Sequence, residues 1–138
     1  MIVSSSAYVK LVEKSKQQTI TLDEVEKFIR YYMEITNKTG KQLNWEYGEA
    51  SFPYTIEQRK IREQIYFLLK GNTQGYHYLL IGAGSDDGAE NTYIQIVLPE
   101  GSTHGDKGKA NEFSKFLAKK LDGELHLFNG RIMYYYKR

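Results

Sequence analysis

Apolar positions in this chain fall into two periods. Ala7-Tyr8-Val9-Lys10-Leu11-Val12 alternates loosely and reads as a strand. Leu22, Val25, Phe28 or Ile29, Tyr32 and Ile35 then recur at helical spacing. Thr21 and Glu24 form a capping box ahead of them, Asp23 and Glu24 sit in the first turn, and Gly40 offers a stop, so a helix is predicted over 22–38. Between Lys41 and Tyr54 the aromatics Trp45, Tyr47, Phe52 and Tyr54 suggest short extended pieces, broken by Gly48 and Pro53. Ile56, Ile61, Ile65, Leu68 and Leu69 predict a second helix, with charges on its wet face and Lys70-Gly71-Asn72 as its end. Tyr76 to Ala83 and Asn91 to Leu98 read as strands, the latter with Ile94, Ile96 and Leu98 on one face. Gly82 to Gly88 reads as a turn-rich loop between them, and Pro99 to Gly108 as a second loop. Ala110, Phe113, Phe116, Leu117 and Leu121 predict a third helix, closed by Asp122-Gly123. Glu124–Phe128 and Arg131–Tyr136 flank Asn129-Gly130, a strong hairpin signal.

The expected order is therefore β-α-(β)-α-β-β-α-β-β. It predicts one α+β domain over 1–138: a mainly antiparallel sheet with about three amphipathic helices packed on one face. With 41% hydrophobic and 26% charged residues, the composition is that of a globular protein. There is no cysteine, which excludes a disulfide scaffold, a thiol nucleophile and a cysteine-type zinc site. Neither a basic, apolar leader nor a membrane-length apolar run is visible, so a cytoplasmic protein without membrane contact is expected. A formal charge of +2 gives no electrostatic case for nucleic acid.

Four groups of residues carry candidate chemistry. The segment Gly101-Ser102-Thr103-His104-Gly105-Asp106-Lys107-Gly108-Lys109 runs from a strand into a helix, where backbone N–H groups can receive an anion. Ser102, Thr103, His104, Gly105, Lys107, Gly108 and Lys109 are its candidate contacts, with His104 as the acid–base candidate. It is not a P-loop, because Ala110 stands where Ser or Thr would hold magnesium. A plain connection whose Gly and Asp shape turns and cap the helix explains the same letters. Asp86, Asp87 and Glu90 are acidic neighbours without EF-hand spacing, and a solvated loop accounts for them too. His77 and His126 lie in predicted strands and form no sequence-local metal pair.

Tyrosine is in excess, with 12 residues against 6 Phe and 1 Trp. Tyr8, Tyr76, Tyr78, Tyr93, Tyr134, Tyr135 and Tyr136 fall on predicted strands. Tyr76, Tyr78, Tyr93, Tyr134 and Tyr136 are the candidates for an interaction surface that self-associates or holds a protein partner. Such a face can also stack single-stranded bases, but the matching motif and basic patch are missing. Ordinary sheet packing is the plain alternative. No cofactor, metal or catalytic residue is implied.

The segments Tyr93–Pro99, Thr103–Phe113 and Glu124–Arg131, with Ala7–Val12 and Glu34–Gly40, resemble a small family of uncharacterised single-domain proteins from Bacillus and related Firmicutes. The resemblance spans nearly the whole chain. It implies a bacterial cytoplasmic protein of unknown function and transfers no catalytic residue. The expectation from the residues is a non-enzymatic binding or interaction module using the tyrosine-rich face. An anion site in the Gly-rich loop, for binding alone or for an enzymatic step, and weak single-strand binding are the alternatives.

Overall fold

A computed structural model describes residues 5–42, 52–72, 74–85 and 90–136 of the chain, with backbone alone for 37–42. Its elements are β1 (Ser5–Lys10), α1 (Leu22–Gln42), β2 (Tyr54–Ile61), β3 (Gln64–Gly71), β4 (Tyr78–Gly84), β5 (Tyr93–Leu98), α2 (His104–Leu121), β6 (Glu124–His126) and β7 (Ile132–Tyr134). The strands form one seven-stranded sheet in the order β2-β3-β4-β5-β1-β6-β7, and every neighbouring pair is antiparallel. No helix among the described residues is long and apolar enough to cross a membrane.

The expected three-helix α+β arrangement is overturned, since the described chain has two helices and is mostly sheet. The segment predicted as the second helix is the β2–β3 hairpin, paired from Tyr54↔Gly71 to Ile61↔Gln64. Its turn is Arg62-Glu63, and Arg62 takes φ 56, a left-handed conformation that Gly or Asn adopts more readily. The run Ile65 to Leu69 satisfies both periods at once. Tertiary pairing selects the strand, in which Phe67 and Leu69 are buried while Tyr66 and Leu68 turn to the other face. Helix α1 also runs past Gly40, and α2 begins at His104, so Lys107, Gly108 and Lys109 are helical rather than loop. Trp45, Tyr47 and Gly48 of the aromatic stretch lie outside the described residues.

Alternation along the strands splits the sheet into two faces. Ala7, Val9, Phe67, Leu69, Leu79, Ile81, Ile94, Ile96 and Leu125 are all buried on one of them. Cross-strand partners such as Val9↔Ile94, Ile81↔Ile96 and Phe67↔Ile81 keep this face in register. Val25, Ile29 and Tyr32 of α1 and Phe113, Leu117 and Leu121 of α2 share the same core. Burying each such side chain contributes about 1.5–3 kcal/mol. Tyr32 links the helices, with ring centroids 5.1 Å from Phe113 and 4.8 Å from Phe116. Burial pushes its phenol up to about 12, with Glu112 adding to the shift.

Candidate functional site

The Gly-rich segment folds around a carboxylate of its own. Thr103 is the N-cap of α2, and its Oγ1 accepts from Asp106 N–H at 3.0 Å. Asp106 Oδ2 in return accepts from Thr103 N–H at 3.0 Å, completing a capping box. Asp106 is fully buried and also accepts from His77 N–H at 3.1 Å and from the Tyr54 hydroxyl at 2.5 Å. Burial first, and then the bond to Asp106, push the Tyr54 phenol far above its ordinary range, so it remains a donor. The positive end of α2 therefore already faces an internal anion.

The seven anion candidates are only partly gathered. Ser102, Thr103, His104 and Lys107 line an open depression of about 270 Å³ with Ser5, Leu98, Pro99 and Gly101. The Ser102 hydroxyl donates to Pro99 O at 2.7 Å, and the Thr103 hydroxyl to Gly75 O at 2.6 Å. A hydroxyl has one proton to give, so neither can donate to a ligand without breaking these bonds. Gly105 is a point of close approach, where a Cβ would meet Tyr76 Cε1 at 2.8 Å and Gly75 O at 2.9 Å. Gly108 is exposed, and Lys109 is buried with its Nζ 3.9 Å from Glu112. His104 and Lys107 are the exposed ionisable groups of the depression.

The tyrosine candidates divide between the two sides of the sheet. Tyr76 belongs to the helix side, packed against the core and edge-on to Tyr54 at 5.9 Å. Tyr78, Tyr93 and Tyr134 lie on the opposite face, since their strand neighbours, the buried Leu79 and Ile94 and the partly buried Met133, point to the core. Tyr78 and Tyr134 are 42% and 43% exposed. Tyr136 joins them, 5.7 Å from Tyr134 by ring centroids and donating to Glu124 Oε2 at 3.0 Å. Three rows cross this face: Leu68–Leu80–Val97–Ser6, then Gly82–Gln95–Tyr8–His126, then Gly84–Tyr93–Lys10–Glu124–Tyr134. Tyr8 and Tyr93 meet edge to face at 5.4 Å. The Gln95 amide nitrogen donates to Ser6 Oγ at 3.0 Å and to the Tyr8 hydroxyl at 3.2 Å, which fixes the plane of that amide.

No described helix packs on this face. Its centre holds Leu68, Leu80, Val97, Tyr66, Gln95 and Tyr8, all half-buried and none charged. Charges stand at the borders, with Glu57, Arg59 and Lys70 towards β2 and Lys10 and Glu124 towards β6, where His126 bonds Glu124. Glu124 is drawn in two directions: burial pushes its carboxyl up, but the bonds to His126 and Tyr136 outweigh that and hold it below the usual carboxylate value. A groove of about 530 Å³ runs along β4 to its end, lined on this face by Tyr66, Gly82, Gly84, Tyr93, Gln95 and Val97 and from the helix side by Leu22, Ile65 and Ala83. His77, which lies just before β4, bonds Gly101 O and His126 bonds Glu124, so the two histidines expected on strands take separate partners. Among the described residues no three His, Asp or Glu side chains gather as metal ligands, and Asp86 and Asp87 of the acidic loop lie outside them.

A family model for a domain of unknown function, DUF1885, matches residues 5–137. This chain belongs to that family. No curated protein matches it. Among solved structures it is similar to a protein of unknown function from Bacillus stearothermophilus, at 45% identity, over 89% of this chain and 94% of that one, with a TM-score of 0.54. The resemblance read from the sequence thus holds for an uncharacterised family with a Bacillus relative.

Two features of this DUF1885 chain escape a sequence reading. Tyr66 was assigned to a helix, although Ile65, Phe67 and Leu69 alternate with it at strand period. Gly82 falls where the expected strand Tyr76–Ala83 and the expected loop Gly82–Gly88 overlap, and it lies inside β4, beside Tyr66 and opposite Gln95. A Gly-x-Gly within an otherwise apolar strand was the available signal.

Proposed function

We propose that this DUF1885 chain is a non-enzymatic binding module whose contact surface is the open face of the sheet. The observation that carries the reading is the distribution of charge on that face. Its centre holds apolar and aromatic side chains and the Gln95 amide but no charged side chain, and charges of both signs form its border. Contact surfaces have this anatomy, with charge depleted where desolvation is complete and retained at the rim. The start of α2 supports binding less well, because Asp106 occupies the anion position and the Ser102 and Thr103 protons are used.

The test is a titration of the ¹⁵N-labelled chain with neutral small molecules and with inorganic phosphate, together with dilution of the chain alone. The reading expects amide shifts gathered at Gly82, Gln95 and Val97. Phosphate-induced shifts at Ser102, Gly105 and Gly108, with a silent sheet face, would transfer the function to the α2 depression.

A further inference from the structure

Gly82 is the point of departure. Gly84 lies against a side chain, since a Cβ there would meet the Tyr93 hydroxyl and ring at 2.8–3.1 Å. A Cβ on Gly82 would meet only Tyr66 Cβ, at 3.7 Å, an ordinary contact. Gly82 has no positive φ and sits in a central strand, where glycine weakens pairing and packs nothing. The fold therefore gains nothing from glycine at this position. What glycine does there is keep the groove open between Tyr66 on β3 and Gln95 on β5.

We infer that the groove over Gly82 is a binding site for a neutral sugar ring; the inference rests on the open face being the contact surface. The volume of about 530 Å³ lies within the span of small-ligand sites, roughly 300–1,000 Å³. Tyr66 and Tyr93 supply aromatic surface for the C–H face of a ring. Gln64 and Asn91 line the groove with amides that accept and donate as sugar hydroxyls do, and Gln95 offers its Oε1 as an acceptor, its N–H protons being held by Ser6 and Tyr8. A flat hydrocarbon would offer none of these groups a partner. No Lys or Arg is among the described lining residues, and Glu63 is the charge at the mouth, so a phosphorylated ligand is disfavoured.

The experiment uses the full chain, with ¹⁵N shifts and saturation transfer read against glucose, N-acetylglucosamine and maltose, and against adenosine monophosphate and indole as charged and flat arms. The inference expects the sugars to shift the Gly82 and Gln95 amides and to receive saturation from tyrosine rings. Gly82→Val fills the groove and should weaken sugar binding about tenfold or more, with a melting temperature equal to wild type or higher. Gln95→Leu, which keeps the volume and removes the amide, should weaken it as well. Wild-type sugar affinity in both variants overturns the inference. Indole or adenosine monophosphate shifting these amides while sugars do not also overturns it, and leaves the open face standing as the contact surface. Silence of the face to every probe and to dilution removes both readings.

Discussion

Helices α1 and α2 begin with the same reciprocal cap in opposite surroundings. Thr21 N–H donates to Glu24 Oε1 at 3.0 Å and Glu24 N–H to Thr21 Oγ1 at 3.1 Å. Thr103 and Asp106 repeat both bonds at 3.0 Å. At α1 the cap lies at the surface, and Ile20 and Val25, both buried, hold the entry angle as a hydrophobic staple. At α2 the equivalent positions are Ser102 and Lys107, so no staple exists. The carboxylate goes inside instead and collects two further donors, from Tyr54 at the start of β2 and from His77 just before β4. One motif is local punctuation at α1 and a joint between three segments at α2. A helix start that looks receptive to a ligand can already be filled by its own chain.

Asp106→Ala should separate the two caps most widely. It leaves the buried Tyr54 hydroxyl and two partly buried backbone N–H groups without an acceptor, at about 1–3 kcal/mol for each group not rehydrated. We expect a loss of about 3–5 kcal/mol by urea unfolding, against about 1 kcal/mol or less for Glu24→Ala. Equal losses would erase the distinction between joint and punctuation.

Tyr54→Phe sharpens it at a single bond. The ring keeps its contacts with Phe52 at 4.8 Å and Tyr76 at 5.9 Å, and only the donor to Asp106 disappears. A hydrogen bond to a charged group contributes about 1.5–3 kcal/mol, so a loss near 2 kcal/mol is expected. If Tyr54→Phe is neutral, the buried carboxylate is held by backbone alone.

How far these features could be read in advance depends on where their causes lie. The α1 cap was legible because Thr21, Glu24 and the apolar stripe are local. So were the face shared by Ile94, Ile96 and Leu98, all buried, and the Asn129-Gly130 turn, where Gly130 takes φ 88. The β2–β3 hairpin was not. Its turn residue Arg62 carries no sign of a left-handed conformation, and Gln58 to Ile61 on the edge strand are exposed on both sides, so alternation is lost. The insertion of β1 between β5 and β6 is a long-range pairing with no local trace. For the candidate site, the letters around Asp106 suit a ligand loop and a cap equally, and only the inward turn of the carboxylate decides between them. The tyrosines were visible as an excess, but their division between two faces required the register.

Thr21→Ala tests the surface cap itself. It removes the acceptor for Glu24 N–H, and about 1 kcal/mol is the usual cost of losing such a residue. A loss as large as that of Tyr54→Phe, measured by the same urea titration, would mean that the α1 cap also does tertiary work.

The smallest effect is in the pH dependence of that cap. The Thr21 N–H bond, opposed by partial burial and helped by Gln17, holds the Glu24 carboxyl below its ordinary value of 4.5. A depressed folded-state value means that the unfolded chain takes up the proton first. The contribution of Glu24 is therefore fully present above about pH 5 and fades as pH falls through the folded value. Glu24→Gln should be less stable than wild type by about 0.5 kcal/mol at pH 7, the scale of a carboxylate at an exposed helix start. The gap should narrow as pH falls through the folded-state value and vanish once both side chains are neutral. Unfolding curves across the acid range read the difference directly. A gap that does not narrow with acid would show that the carboxylate's charge is not what Glu24 contributes, and the α1 cap would then rest on hydrogen-bond geometry and the Ile20–Val25 staple.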